Sequence, residues 1–500
     1  MDVLIQAGQL ILSLSILIVL HEFGHYIPAR LFNTRVEKFY LFFDWKFSLF
    51  KKKIKDTEWG IGWIPLGGYV KISGMIDESM DTEQMEQEPQ PYEFRSKPAW
   101  QRLIIMIGGI IVNLIVGFVL YAVVLFTWGE DIVKIENIPN GFAVGEELEK
   151  GGFVDGDLIL DVDGEALENQ LEINRLLMLR SVEKVTVQHQ SGETEVLAIP
   201  EDIEYTMFKA DESITPRMIL EVDSVFEGSP AFYSGLEQGD RVYEVNGKAV
   251  LFMDEFADAV KEKFDQKIMI EVNKAGQAKS GAYTIDSIVS GLAAEDLGIH
   301  LVEELVSFNG KTIKTWDAYQ AEIADLTALD VKLKRSGDTL SKLMVPSHRG
   351  KIGVLFGSKH SEEIYTHVDY SFGASIPGGI SKAYWTLHDY ASQLKFVFTK
   401  KGASSMGGFG AFGKMFKKEW HWQSFWANTA LISIILAFMN FLPIPALDGG
   451  HIMFLLYEMV TGRQPNQKVL EYAQVAGFFF ILALVLYANG NDIYKWLSGQ

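Results

Sequence analysis

Three residues near the N-terminus, His21, Glu22 and His25, form a His-Glu-x-x-His pattern that grows directly out of an apolar run, Val3 to Leu20. On a helix, positions four apart share one face, so both imidazoles can reach one cation, and zinc takes such nitrogens well. Glu22 projects beside that face, placed to take a proton from zinc-bound water. The bland alternative is two inert histidines at a helix end. Position argues against it, because ionisable groups attached to a membrane span are costly and tend to be functional. The chain has no cysteine, so any metal must be held by His, Asp or Glu.

A catalytic zinc takes three protein ligands and keeps a fourth position open. The stretch Asn440-Phe441-Leu442-Pro443-Ile444-Pro445-Ala446-Leu447-Asp448-Gly449-Gly450-His451 closes a second apolar run and carries two prolines. Such a break at membrane depth is tolerated only against protein or a wet cavity. Asp448, directly behind the break, is the expected third ligand. Two alternatives stand beside it: Asp448 caps a helix beginning near Gly449, or His451 is the ligand instead.

These residues need a scaffold, and the composition says which kind. The 500 residues are 48% apolar yet 22% charged, which fits a membrane protein with sizeable soluble parts. A net charge of −20 argues against nucleic acid as a partner. The N-terminal run has no preceding positive charge and no small-residue cleavage site, so it reads as a retained transmembrane helix rather than a signal peptide. Further spans are expected at about Leu103 to Thr127, with Gly108, Gly109 and Gly117 for close helix contact, at Ser424 to Leu442, and at Tyr472 to Tyr487. Basic residues crowd the segment 30–102, among them Lys51, Lys52, Lys53 and Lys55, and Arg463 and Lys468 lie in the last turn. The positive-inside tendency then puts those segments inside, with both termini and the long region 128–423 outside.

Within that long region one unit recurs. Gly156-Asp157 leads through Leu158-Ile159-Leu160-Asp161-Val162 to Asp163-Gly164, and Gly239-Asp240 leads through Arg241-Val242-Tyr243-Glu244-Val245 to Asn246-Gly247. Each string describes a turn, a strand and a tight turn. A third copy, Leu305 to Asn309-Gly310, lacks the Gly-Asp pair and is either degenerate or a β-rich extension. Gly408-Phe409-Gly410-Ala411-Phe412-Gly413-Lys414 satisfies a dinucleotide glycine pattern, but no strand precedes it, and it reads as juxtamembrane chain.

Together, the His21–His25 motif and Asn440, Pro443, Pro445, Leu447, Asp448 and Gly449 resemble the site-2 protease family of intramembrane zinc metalloproteases. The likeness is to its bacterial envelope-stress regulators with periplasmic PDZ domains, and the recurring outer unit resembles PDZ domains. Pro65-Leu66-Gly67-Gly68-Tyr69-Val70-Lys71 resembles a membrane-associated β-hairpin of that family that lies near its active site, although the glycine pair could be only a tight turn. The resemblance implies one zinc held by His21, His25 and Asp448, with Glu22 catalytic. It also implies substrate binding by Asn440, Pro443, Pro445, Gly67, Gly68 and Tyr69, the hairpin clamping an extended substrate by strand addition. The implied substrates are single-span membrane proteins, such as anti-sigma factors after a first cut, or remnant signal peptides. The implied location is the bacterial inner membrane, in contact with lipid, with the active site near the cytoplasmic leaflet.

The expected fold is therefore a polytopic α-helical membrane protein with an inserted β-hairpin and tandem PDZ-like domains outside. Residues 1–29, 103–127, 424–450 and 472–490 form the transmembrane helices. Residues 30–102, with the hairpin near 57–72, and the turn 451–471 lie inside. PDZ-like domains occupy 128–212 and 213–282, followed by 283–357 as the degenerate copy or extension and 358–423 as a juxtamembrane segment. Two rivals from other classes are a non-catalytic membrane scaffold and a metal transporter.

Overall fold

A computed structural model describes residues 2–65, 67–75, 88–227, 229–264, 270–273, 304–308, 311–312, 329–335, 338–344, 354–356, 364–397 and 399–497. The chain forms two compact units, residues 1–130 with 367–500, and residues 131–366.

Among the described residues, the first unit has six longer helices, α1 (Asp2–Leu31), α2 (Ala99–Trp128), α3 (Phe372–Val397), α4 (Trp422–Phe441), α5 (Asp448–Thr461) and α6 (Gln467–Leu497), and two short ones, Lys400–Ser405 and Phe409–Lys414. Four helical stretches among the described residues are long and apolar enough to cross a bilayer: Asp2–Leu31, Ala99–Trp128, Trp422–Phe441 and Lys468–Lys495. All four were expected. Helix α2 is the hub. Against α1 its glycines allow near backbone contact, since a Cβ on Gly24 would stand 2.5 Å from the Gly108 carbonyl oxygen. Against α4, Gly117 receives the side chain of Ile434, and a Cβ there would lie 2.5 Å from its Cδ1.

Helix α3 lies in residues that read as juxtamembrane chain. Its buried Ser375, Gly379 and Ala383 recur every four residues, making one small-residue face. Gly379 approaches α2 so closely that a Cβ would be 2.5 Å from the Ala122 nitrogen. Lys382, His388 and Asp389 on the same helix kept its average polarity too high for it to stand out as a span.

Between α1 and α2 the chain forms four strands: β1 (Val36–Leu41), β2 (Phe50–Ile54), β3 (Thr57–Ile61) and β4 (Tyr69–Ile72). Their order is β2-β3-β1-β4, with β1 and β3 parallel and β1 and β4 antiparallel. The hairpin expected near 57–72 is thus corrected, because β3 and β4 flank β1 instead of pairing with each other. The physical reason is that each of them hydrogen-bonds to a different edge of β1, which keeps β3 and β4 one strand apart. The sheet packs on α1 through rings: Phe23 lies 4.8 Å from Phe39, and Tyr26 lies 5.2 Å from Trp59.

In the second unit the recurring string has a physical explanation. Strand Leu158–Val162 leads to Glu165–Ala166 through Asp163 and Gly164 (φ 54° and 85°), and Arg241–Val245 leads to Lys248–Ala249 through Asn246 and Gly247 (φ 51° and 80°). Two consecutive positive φ angles define the hairpin turn that Asx-Gly favours. The aspartate of each Gly-Asp pair is buried and accepts from a backbone N–H three residues earlier, Asp157 from Val154 at 2.8 Å and Asp240 from Glu237 at 2.9 Å. Each also meets a basic side chain from the neighbouring strand or its end, His189 at 2.6 Å and Arg335 at 2.7 Å.

The expected boundary at 282/283 does not separate two packed bodies among the described residues. Leu329–Arg335 pairs with Arg241–Val245, and Val331 and Leu333 join the core of Leu220, Val242, Val245 and Phe256. Strand Val354–Phe356 likewise pairs with Val222–Val225. The third copy, Glu304–Phe308 with Lys311–Thr312, pairs instead with Ile270–Asn273. Its Asn309-Gly310 turn lies outside the described residues.

The hydrogen bond to Asp157 raises the His189 pKa above its ordinary value of 6.5. A group raised on folding stabilises the fold fully below its ordinary pKa and loses that contribution as pH rises through the raised value. The variant His189→Gln is therefore expected to weaken hydrogen-exchange protection of Leu158–Val162 below pH 6.5 and to match the parent at alkaline pH. Equal protection of both proteins at acidic pH would contradict this.

Candidate metal and catalytic centre

His21 and His25 stand one turn apart on α1, about 30 Å of helix beyond its start at 1.5 Å per residue. That distance is close to the thickness of a bilayer's hydrocarbon core. Asp448 reaches them from the far side of the sequence as the first residue of α5, immediately after the proline-broken link from α4. Three donor atoms converge. His21 Nε2 lies 3.3 Å and His25 Nε2 3.4 Å from Asp448 Oδ2, and the two nitrogens are 3.2 Å apart. Ligands held about 2.0–2.1 Å from a tetrahedral zinc are separated by about 3.3–3.4 Å, so the set has the right size for that ion.

The surroundings fit a cation as well. Asp448 Oδ2 is buried without a hydrogen-bond donor. His25 Nδ1 lies 2.8 Å from the Ile105 carbonyl oxygen, which accepts the Nδ1 proton, so that in the neutral imidazole the Nε2 lone pair faces the cluster. Asn113 of α2 sits 3.2 Å from His21 Nδ1, almost fully buried, with its own Oδ1 unpartnered. Amide oxygen and nitrogen are assigned by their partners, and rotating this amide puts its oxygen on His21 Nδ1–H, which frees His21 Nε2 in the same way. Gly109 completes the pocket: a Cβ there would stand 2.4 Å from His25 Nε2 and 2.6 Å from His21 Cε1.

The link carrying Asp448 is shaped by backbone. Ala446 adopts φ 77°, and a Cβ on Gly449 would come within 2.1 Å of the Leu442 carbonyl oxygen. Both glycines after Asp448 are therefore required by the folding of the link onto the start of α5. Helix capping does not account for Asp448, since the cap residue is Leu447 and no side chain caps the helix. His451 stands apart from the cluster, with its Nε2 3.1 Å from Gln474.

Glu22 is buried beside the cluster, and the Val70 backbone N–H of β4 hydrogen-bonds its carboxyl. Gly68 packs there too, where a Cβ would lie 3.7 Å from Glu22 Cγ and 2.5 Å from Ile18 Cγ2. Asn440 Nδ2 is 3.4 Å from His21 Nε2. The other expected residues lie further out. Gly67 faces the Phe43 ring, Pro443 is exposed in the link, and Pro445 touches α6, where a Cβ on Gly477 would meet its carbonyl oxygen at 1.8 Å. Tyr69 is buried, its hydroxyl donating to Asp44 Oδ1 at 2.8 Å. Asn113 escaped the sequence reading, although a lone amide in the middle of an apolar span is itself a signal.

A His-Glu-x-x-His helix and a carboxylate from a second chain segment, set among bilayer-length apolar helices, define a membrane-embedded metallopeptidase. The family model of Peptidase family M50 matches residues 9–484, and the chain belongs to that family of site-2 proteases. The chain is 26% identical to the Regulator of sigma E protease of Haemophilus influenzae, over 99% of this chain and 100% of that one. It is 26% identical to the Regulator of sigma-E protease RseP of Salmonella typhimurium over the same shares. A provisionally named zinc metalloprotease of Neisseria meningitidis is 27% identical over 98% of each chain.

Two substitutions probe the centre. Asn113→Leu is expected to weaken zinc binding by about 10–100-fold, the usual cost of losing an outer partner of a ligating histidine. Gly109→Ala, which puts a methyl against both rings, is expected to lower the metal content of the purified protein further than Gly117→Ala does. Zinc competition titrations and metal analysis read both, and parental affinity in Asn113→Leu would refute the assigned role.

Proposed function

We propose that the chain is a zinc peptidase that hydrolyses peptide bonds within the transmembrane segments of single-span membrane proteins. The observation that carries this reading is the trio of separations between His21 Nε2, His25 Nε2 and Asp448 Oδ2, with Glu22 beside them. Zinc held by these three residues would supply Lewis-acid polarisation of the scissile carbonyl. Glu22, as general base, takes the proton of the attacking water and returns it to the leaving amine. Asn440, close to His21, is placed to hold substrate backbone.

A helical substrate hides its carbonyls in intrahelical bonds, so it must be held extended to be cut. Strand β4 is the terminal strand of its sheet, and its Gly68 and Val70 stand against Glu22. An extended substrate added along that edge would gain main-chain hydrogen bonds beside the catalytic group. The recurring outer units are PDZ-like in this reading, supported by their Asx-Gly hairpins and buried Gly-Asp carboxylates. They recognise trimmed chain ends or exclude large ectodomains, which suits a peptidase acting after a first cut. The named function of the sigma-E relatives points to anti-sigma factors as one substrate class, and remnant signal peptides fit the same active site. The basic segment 30–102 supports an orientation with the sheet and the metal centre toward the cytoplasmic leaflet of the inner membrane.

The decisive experiment uses purified protein in lipid with a transmembrane substrate. Glu22→Gln is expected to keep its metal and to cut roughly 10²–10⁴-fold more slowly. A chelator should abolish cleavage, and added zinc should restore it. Undiminished cleavage by the metal-loaded variant would end the mechanism, and a chain that bound no zinc would favour the scaffold reading.

A further inference from the structure

The sheet presents a surface that the metal centre does not explain. Trp45 (63%), Phe47 (56%), Leu49 (66%) and Phe50 (57%) are exposed in succession, and Trp63 is exposed beside them. They are ordered nonetheless. Phe47 and Trp63 stack with ring centres 5.6 Å apart, and the Trp63 indole N–H donates to the Trp45 carbonyl oxygen at 2.8 Å. Directly behind this tip runs β2, every residue of which is exposed and which, among the described residues, pairs only with β3. Its Lys51, Lys52 and Lys53, with Lys55 in the following turn, make no ion pair among the described residues, and Lys46 lies 4.5 Å from the Trp45 ring centre. Of the nearby carboxylates, Asp44 accepts from the Tyr69 hydroxyl and Glu58 from the Tyr40 hydroxyl, while Asp56 shares the turn with Lys55 and leaves the segment 46–55 with a net positive charge.

An exposed apolar patch rimmed by one sign of charge marks an interaction surface. We propose that residues 45–55 form a docking site for anionic phospholipid, the aromatic tip entering the interface and the four lysines meeting headgroup phosphates. Aromatic rings favour the boundary between headgroups and acyl chains, and lysines close to an anionic leaflet each contribute about a fivefold preference for it. Charge complementarity selects this occupant over a neutral apolar partner, which would leave the lysines unused. The site does not depend on the peptidase reading. Its consequence for the fold is mechanical: β2 joins β4 through β3 and β1, so lipid held at one edge steadies Gly68 and Val70 at the other, next to Glu22.

The chain contains no cysteine, so Leu49→Cys introduces a unique labelling position in the full-length protein. Labelled there with an environment-sensitive nitrobenzoxadiazole dye and placed in nanodiscs, the tip is expected to shift its emission to the blue as phosphatidylglycerol replaces phosphatidylcholine. Added salt should reverse part of the shift. Changing Lys51, Lys52, Lys53 and Lys55 to Gln should flatten this composition dependence while the metal content stays parental. Emission that ignores lipid composition would overturn the proposal, as would a composition dependence that survives the four substitutions. Inorganic phosphate added to phosphatidylcholine discs should have no effect, and a shift there would give the lysines to a soluble anion instead. The lipid series on the labelled parent decides the matter even if the lysine variant fails to accumulate.

Discussion

The structure rests on the contact between two glycine-faced helices. Gly24 on α1 and Gly108 and Gly109 on α2 bring the backbones so close that no side chain fits between them. In lipid there is no hydrophobic drive to press helices together, so close packing of small residues must supply the adhesion. Here the same contact does chemical work. It sets the His25 ring against the Ile105 carbonyl and the His21 ring against Asn113, and it leaves at Gly109 the space that both imidazoles occupy. Remove that intimacy and the histidines lose both their orientation and their room.

The second constraint is electrostatic. Two imidazole nitrogens and a carboxylate oxygen face one another at about hydrogen-bond distance, and Asp448 Oδ2 has no donor. A buried charge without compensation is expensive, and a cation shared by the three donors would supply that compensation. The far ring nitrogens are engaged by α2, which leaves their partners free to serve as ligands. The proline-interrupted link after α4 then delivers Asp448 without a covering turn of helix. Glycines behind the aspartate let the link fold back onto α5, and their value lies in backbone approach rather than flexibility.

Much of this was legible in the residues. The His-Glu-x-x-His spacing, the Asp448 environment and the four spans depend on local pattern, and local pattern survives folding. The hairpin turns at Asp163-Gly164 and Asn246-Gly247 were readable for the same reason, since only two positive φ angles satisfy them. What escaped is non-local. The order β2-β3-β1-β4 depends on which strand wins the flank of β1, and no spacing rule encodes that choice. Strand Leu329–Arg335 returns over a long insertion to pair with Arg241–Val245, so a boundary drawn from repeat length falls inside one core. Helix α3 mixes Lys382, His388 and Asp389 with its small-residue face, and averaged hydropathy cannot register a face. Asn113 was visible as a letter, but its meaning came from the ring it touches.

The division of labour between the two sides of the site follows from these constraints. Helices supply the rigid half, because a metal ligand set tolerates little displacement and bilayer-buried helices carry their backbone bonds internally. The sheet supplies the other half, because its strand β4 brings the Val70 backbone N–H to the Glu22 carboxyl without breaking a helix. A polypeptide meeting this centre in helical form would have no comparable bond to exchange, whereas an extended one meets a strand of the same geometry. The donors held by α1 and α5 and the sheet beside them thus form one structure, joined by the packing of Gly68, just before β4, against Ile18 and Glu22.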